Sequence, residues 1–174
     1  MNKFIKFILI FAFIFSYFGV KTTFAAHLYF EAYKNDSSSG GYILNALIDA
    51  DNELLNAVEG NIVFPDSIEI KDINDGNSVI NFWIEKPSIK KGIVSFSGIT
   101  PGGFSGQKRV IFSVSVLDKQ DSTGEIQFDS IKILKNDGTG SEAKVTLTPL
   151  KLPIKTTLLV SDLKGKEHKD VSPP

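Results

Sequence analysis

The residues in this chain with types suited to chemistry are few, and each can be held against what its chemistry requires. The stretch Ile99–Gly106, "ITPGGFSG", sets three glycines, a proline and one phenylalanine between two runs of alternating apolar residues. Glycine-rich loops cradle phosphates when they follow GxxxxGK[ST] or GxGxxG spacing and open a helix. "GGFSGQKR" has neither spacing, and the residues after Gly106 alternate like a strand, so the phosphate reading fails. The glycines are expected to let the backbone turn. Phe104 is expected to fold back and plug one end of the fold, the alternative being a contact at an exposed rim.

Nucleophilic catalysis requires a base within reach of a nucleophile. The only histidines are His27 and His168, one near the start of the strand-rich region and one in the charged tail. Cysteine is absent, which removes disulfides, zinc–thiolate sites, thiol nucleophiles and a lipidated N-terminal cysteine. Paired carboxylates for glycoside hydrolysis are harder to exclude, because acids are plentiful. Most of them (Asp49, Asp51, Asp66, Asp75, Asp121, Asp137) fall in turn-like stretches, where the usual role is hydrogen bonding to nearby backbone. "DADNE" (Asp49–Glu53) and "DINDGN" (Asp72–Asn77) begin like calcium loops. The first has Leu54 where the EF-hand glycine belongs, and the second brings Gly76 one position early. A structural calcium in a loop stays open; no cofactor, metal ligand or catalytic residue is assigned. The chain reads as a non-enzyme.

The elements that would position a site are strands. "HLYFEAY", "YILNALIDA", "VEGNIVF", "SIEIKDI", "VINFWIE", "GIVSFSGI", "RVIFSVSVL", "EIQFDSIKIL" and "AKVTLTPL" each carry apolar residues at a period of two, or a short apolar run, between Gly/Asn/Asp/Ser turns. Two "NDG" segments (Asn74–Gly76 and Asn136–Gly138) signal tight hairpin turns. About nine short strands at this spacing predict an all-β sandwich. Only "DNELLNAV" leaves room for a short helical turn. Trp83, the one tryptophan, alternates with Phe82 and Ile84. If those two join Ile80 in the core, Trp83 faces outward between Asn81 and Glu85, where its ring can stack on a sugar or anchor a partner. The other reading, a Trp83 covered by "DNELLNAV" or by a loop, stays open.

The ends differ from the middle. "MNKFIK", the uncharged apolar run Phe7–Val20 and "KTTFA" form the three-part pattern of a secretory signal peptide, with cleavage expected between Ala25 and Ala26. The apolar run is short of the roughly 20 residues that span a bilayer. Removing it takes three lysines and no acid, so the exported chain is more acidic than the −1 of the full sequence. A mildly acidic surface argues against nucleic acid. From residue 154 the chain becomes an exit segment and then a charged tail, "SDLKGKEHKDVSPP", which reads as a linker. The expected organisation is 1–25 signal peptide, 26–153 sandwich, 154–174 exit segment and tail. Attachment to a membrane or cell wall would come through sequence beyond Pro174.

"LNAVEGNIVFPDSIEIKDINDGNS", "GIVSFSGITPGGFSG", the "VIFSVSV" strand and "IQFDSIKILKNDGTG" together resemble a cohesin-type domain over His27–Pro153. The resemblance implies a nine-stranded antiparallel jelly-roll sandwich, related in fold to carbohydrate-binding modules. It also implies a partner: a calcium-loaded dockerin-like module held on the outer face of one sheet, in strand order 8-3-6-5. Mapped onto this chain, that face carries Glu59, Asn61 and Val63; Asn81, Trp83 and Glu85; Ser95 and Ser97; and Gln127 and Asp129. The expected function is an exported, extracellular or cell-surface binding module for a dockerin-like or cell-surface protein. The alternatives are a carbohydrate-binding module that takes a polysaccharide and a structural spacer in a longer surface protein.

Overall fold

The computed structural model describes residues 25–35, 41–119, 123–155 and 158–159. The signal peptide expected over 1–25 lies outside these residues except for Ala25, and so do Asp121, His168 and the charged tail. Alternating sequence becomes strand throughout. The strands are β1 (Ala26–Lys34), β2 (Gly41–Asp49), β3 (Asp51–Val63), β4 (Ile68–Asn74), β5 (Phe82–Lys90) and β6 (Ile93–Gly106). They continue as β7 (Arg109–Asp118), β8 (Glu125–Lys135), β9 (Val145–Leu147), β10 (Leu150–Lys151) and β11 (Leu158–Leu159). Among the described residues there is no helix, and "DNELLNAV" is extended as the first part of β3.

The strands form two sheets. One runs β11-β1-β2-β7-β4 with β9 also on β1; the other runs β10-β8-β3-β6-β5. Neighbours are antiparallel except that β9 and β11 both run parallel to β1, beside Ala26–Leu28 and Tyr33–Lys34 respectively. The eight expected strands from "HLYFEAY" to "EIQFDSIKIL" correspond to β1–β8. The ninth, "AKVTLTPL", divides between the sheets. Thr148 donates its backbone N–H to Leu28 O at 2.8 Å. Pro149 has no N–H to continue the ladder, and the chain leaves for the other sheet, where β10 pairs with β8.

The inner faces meet in one core. Leu28, Leu44, Ile48, Phe112, Val114 and Val116 from the first sheet pack against Val58, Ile62, Val94, Phe96, Ile126 and Ile133 from the second. Aromatic pairs join the layers: Phe30 stacks on Phe128 with centroids 4.3 Å apart, and Phe96 meets Phe112 edge-on at 5.1 Å. With no disulfide, this burial carries the stability.

"ITPGGFSG" lies inside β6. Leu55 pairs with Phe104 and Ala57 with Ile99, so residues between Ile99 and Phe104 bulge out of the ladder. Phe104 is buried, as the plug reading expects. Gly103 has φ +79, and a Cβ there would lie 2.8 Å from Leu54 Cγ and 3.0 Å from Leu55 O. Gly102 has φ +84, with open space around it. Gly103→Ala is therefore expected to cost about 2–3 kcal/mol, from backbone strain plus a clash, and Gly102→Ala about 1 kcal/mol, from strain alone. Urea denaturation of the two variants checks the order; equal losses would contradict the close approach.

Candidate functional site

The outer face of β8-β3-β6-β5 has the strand order that the resemblance implies. On β3, Val58 and Ile62 point into the core, as does Phe64 just after it, which turns Glu59, Asn61 and Val63 outward. The register places Glu59 beside Ser97, Asn61 beside Ser95, and Val63 beside Ile93 of β6. On the other side Asn61 meets Asp129 and Val63 meets Gln127 of β8. Glu85 of β5 lies beside Ser97. Eight of the ten expected partner-binding residues, Glu59, Asn61, Val63, Glu85, Ser95, Ser97, Gln127 and Asp129, therefore share one face.

The Ser95 hydroxyl donates to Asn61 Oδ1 at 2.8 Å, which fixes the amide. A shallow polar hollow of about 270 Å³ opens between Glu59, Asn61, Glu85, Ser95, Ser97 and Ser130. Ser130 has φ 51 and sits where the β3–β8 register shifts. This bulge resets the alternation of β8: Ile131 packs against the core and Ile133 within it, while Lys132 stands exposed. Lys132 reaches Glu59 at 4.0 Å with both side chains about half exposed, a contact that contributes little.

The other two expected residues lie elsewhere. Trp83 was expected outward and instead packs on the core, edge-on to Phe112 with centroids 6.5 Å apart. Its partner in the ladder is Gly98, which follows Phe96 on the inward side of β6. A Cβ at position 98 would lie 2.8 Å from Trp83 Cε3 and would also clash with Ile80, so the missing methyl is the space the indole uses. Asn81 precedes β5. It lines a pocket at the end of the sandwich with Asn77, Lys108 and Arg109, away from the sheet face.

Turning Trp83 inward turns its neighbours outward. Phe82 is 60% exposed and Ile84 is 67% exposed, the two most exposed large apolar side chains among the described residues. Phe82 pairs with Ile99, an outward position of β6. Ile84 borders a hollow of about 150 Å³ with Ala57, Ile99, Leu134, Lys132 and Glu59. The face therefore has an apolar end beside a polar, acid-bearing field. Sequence parity missed Phe82 and Ile84 because β5 has apolar residues on both sides. The signal that could have found them is the glycine inside "SFSGIT", which marks where a large partner needs room.

No protein-family model matches the sequence, and no curated relative matches it. Solved structures do resemble it. A non-cellulosomal cohesin from the hyperthermophilic archaeon Archaeoglobus fulgidus superposes with a TM-score of 0.58 at 12% identity, over 84% of this chain and 100% of that one. A cohesin of OlpC, in a type I cohesin–dockerin complex from Clostridium thermocellum, gives 0.56 at 11% identity, over 75% and 94%. The corresponding OlpA cohesin, also in a type I complex from that organism, gives 0.54 at 13%, over 74% and 97%. The fold of this chain is cohesin-like.

Since the indole belongs to the packing of this fold, Trp83→Ala is expected to cost about 2–4 kcal/mol of stability. Circular dichroism during urea denaturation measures it. Wild-type stability in that variant would mean that the ring does not fill the space above Gly98.

Proposed function

We propose that this chain is a non-enzymatic binding module that recognises a folded protein partner of the dockerin-like class through the outer face of β8-β3-β6-β5. The observation that carries the proposal is the pair Phe82 and Ile84, exposed at 60% and 67% next to an apolar hollow on that face. Large apolar side chains held out by a rigid sheet and rimmed by polar groups suit a protein interface. Support for the partner class comes from the type I cohesin–dockerin complexes in which two of the similar folds were solved. The carbohydrate-module reading rested on an outward Trp83, and with the indole packed inward it loses its stacking ring.

The same reading assigns residues 1–25 to a Sec-type signal peptide cut between Ala25 and Ala26, 26–153 to the binding module and 154–174 to an exit segment and linker, of which Ile154 and β11 still belong to the sandwich. The module would then work outside the cell or at its surface, attached to membrane or wall through sequence beyond Pro174. The buried Ala26 fits such a cut, since its nitrogen donates to Lys144 O at 2.8 Å and an ammonium can donate there too.

The test is isothermal titration of the chain with calcium-loaded dockerin-like modules encoded by the same genome. Phe82→Ala and Ile84→Ala are each expected to weaken binding about tenfold or more, equivalent to about 1.4 kcal/mol. Their thermal midpoints should stay at the wild-type value, because both side chains are already in water. Unchanged affinity in the double variant would remove the face from the proposal.

A further inference from the structure

A second site lies at the end of the sandwich, away from the sheet face. The segment between β4 and β5 crosses here, and three hydrogen bonds clamp it. Val79 N–H donates to Val110 O at 2.7 Å, the Ser78 hydroxyl to Ile111 O at 2.5 Å, and the buried Thr100 hydroxyl to Val79 O at 2.7 Å. Ile80 is buried in the core below. The segment is thus tied to β7 on one side and β6 on the other. Between it and the start of β7 opens a pocket of about 390 Å³ lined by Asn77, Ser78, Asn81, Lys108 and Arg109 above a valine floor. That volume falls at the small end of the roughly 300–1,000 Å³ typical of small-molecule sites.

Arg109 is the only arginine in the sequence; it is exposed, and among the described residues no carboxylate pairs with it. The charged groups Lys108, Glu31 and Asp49 beside it are engaged with one another or with phenols. Lys108 Nζ holds Glu31 at 2.9 Å, and Lys108 N–H donates to Asp49 Oδ1 at 2.6 Å. Glu31 also accepts from the Tyr33 hydroxyl at 2.6 Å, and Asp49 accepts from Tyr29 at 3.1 Å. The hydrogen bond from Tyr33, opposed by burial and aided by Lys108, keeps the Glu31 carboxyl below its ordinary range, while burial and Glu31 push the Tyr33 phenol up to about 12. Both acids near the pocket are therefore spoken for. The pocket keeps a guanidinium that no described carboxylate pairs with, and the side-chain amides of Asn77 and Asn81.

We propose that this pocket binds the carboxylate of a hydroxyl-rich small ligand, the sugar-acid class, with Arg109 as the anion-binding fork. A guanidinium matches a carboxylate with two parallel hydrogen bonds. Asparagine amides each offer donors and an acceptor, which suits ring hydroxyls. The lining has little apolar wall for an aliphatic or aromatic side chain, which disfavours an acidic peptide. Because the walls are pinned by backbone contacts, little ordering is needed when a ligand enters.

The experiment is titration of the full chain, followed by amide chemical shifts, with glucuronate, a galacturonate oligomer, a neutral galactose oligomer of the same length and a glutamate peptide. Saturable shifts at Asn77, Asn81 and Arg109 with a uronate, at least tenfold weaker with the neutral oligomer, are the expected result. Glucuronate alone sufficing assigns a free sugar acid; a requirement for the oligomer assigns a polysaccharide. Arg109→Gln should abolish the response and Arg109→Lys should restore only part of it. Both substitutions are at an exposed side chain of a pocket that neither Phe82 nor Ile84 lines, so partner binding on the sheet face should persist. No saturable binding of either uronate, equal binding of neutral and acidic sugars, stronger binding of the peptide, or full binding by Arg109→Gln would each overturn the proposal.

Discussion

The indole of Trp83 lies over Gly98, and that contact decides which side of β5 faces the interior. Among the described residues the strand sits at the sheet edge with β6 as its one neighbour in the ladder, so no other described strand of the sheet sets its facing. Its apolar residues fall on both sides, and pleating alone would accept either. The void at Gly98 and the ring of Phe112 favour the largest side chain inside. Phe82 and Ile84 are left in water as a result. A steric absence on one strand thus produces an apolar surface on the next.

Much of this was legible in the sequence, for reasons that differ strand by strand. β3, β6 and the first half of β8 alternate strongly, with Val58, Ile62, Val94, Phe96, Ile126 and Phe128 on one side and polar groups on the other. Their inward and outward residues were readable from period alone, which is why seven expected residues meet on one face; Glu85 joins them only through the register shift after Trp83. β5 was not readable, because its facing depends on a glycine in a neighbour whose register the sequence does not state. Nor was the bulge at Ser130, since a serine with positive φ carries no compositional mark. Asn81 was misplaced for a simpler reason: the strand begins one residue later, and the segment before it is bound to β7 by backbone contacts that no pattern announces.

The two surfaces have opposite chemistry. The sheet face offers apolar bulk beside acids, fixed by pleat and register. The end pocket offers amides and a guanidinium that pairs with no described carboxylate, fixed by a clamped crossover. Both are rigid because they are built on strands or tied to them, and neither uses a long free loop. The network of Tyr29, Glu31, Tyr33, Asp49 and Lys108 lies beside the pocket, and its two carboxylates are held by one ammonium, two phenols and the Lys108 N–H rather than by Arg109.

The parallel placement of β9 and β11 along β1 has a mechanical consequence. β1 starts beside β9 at Ala26 and ends beside β11 at Lys34, so the entering strand and the leaving strand point the same way. Tension applied between the two ends of the sandwich pulls β1 and its parallel neighbours past one another along their length. The hydrogen bonds of that seam are then loaded together in shear, whereas an antiparallel pair pulled from one end would open bond by bond. The threading of the chain thus sets the parallel seam along β1 in a shear geometry.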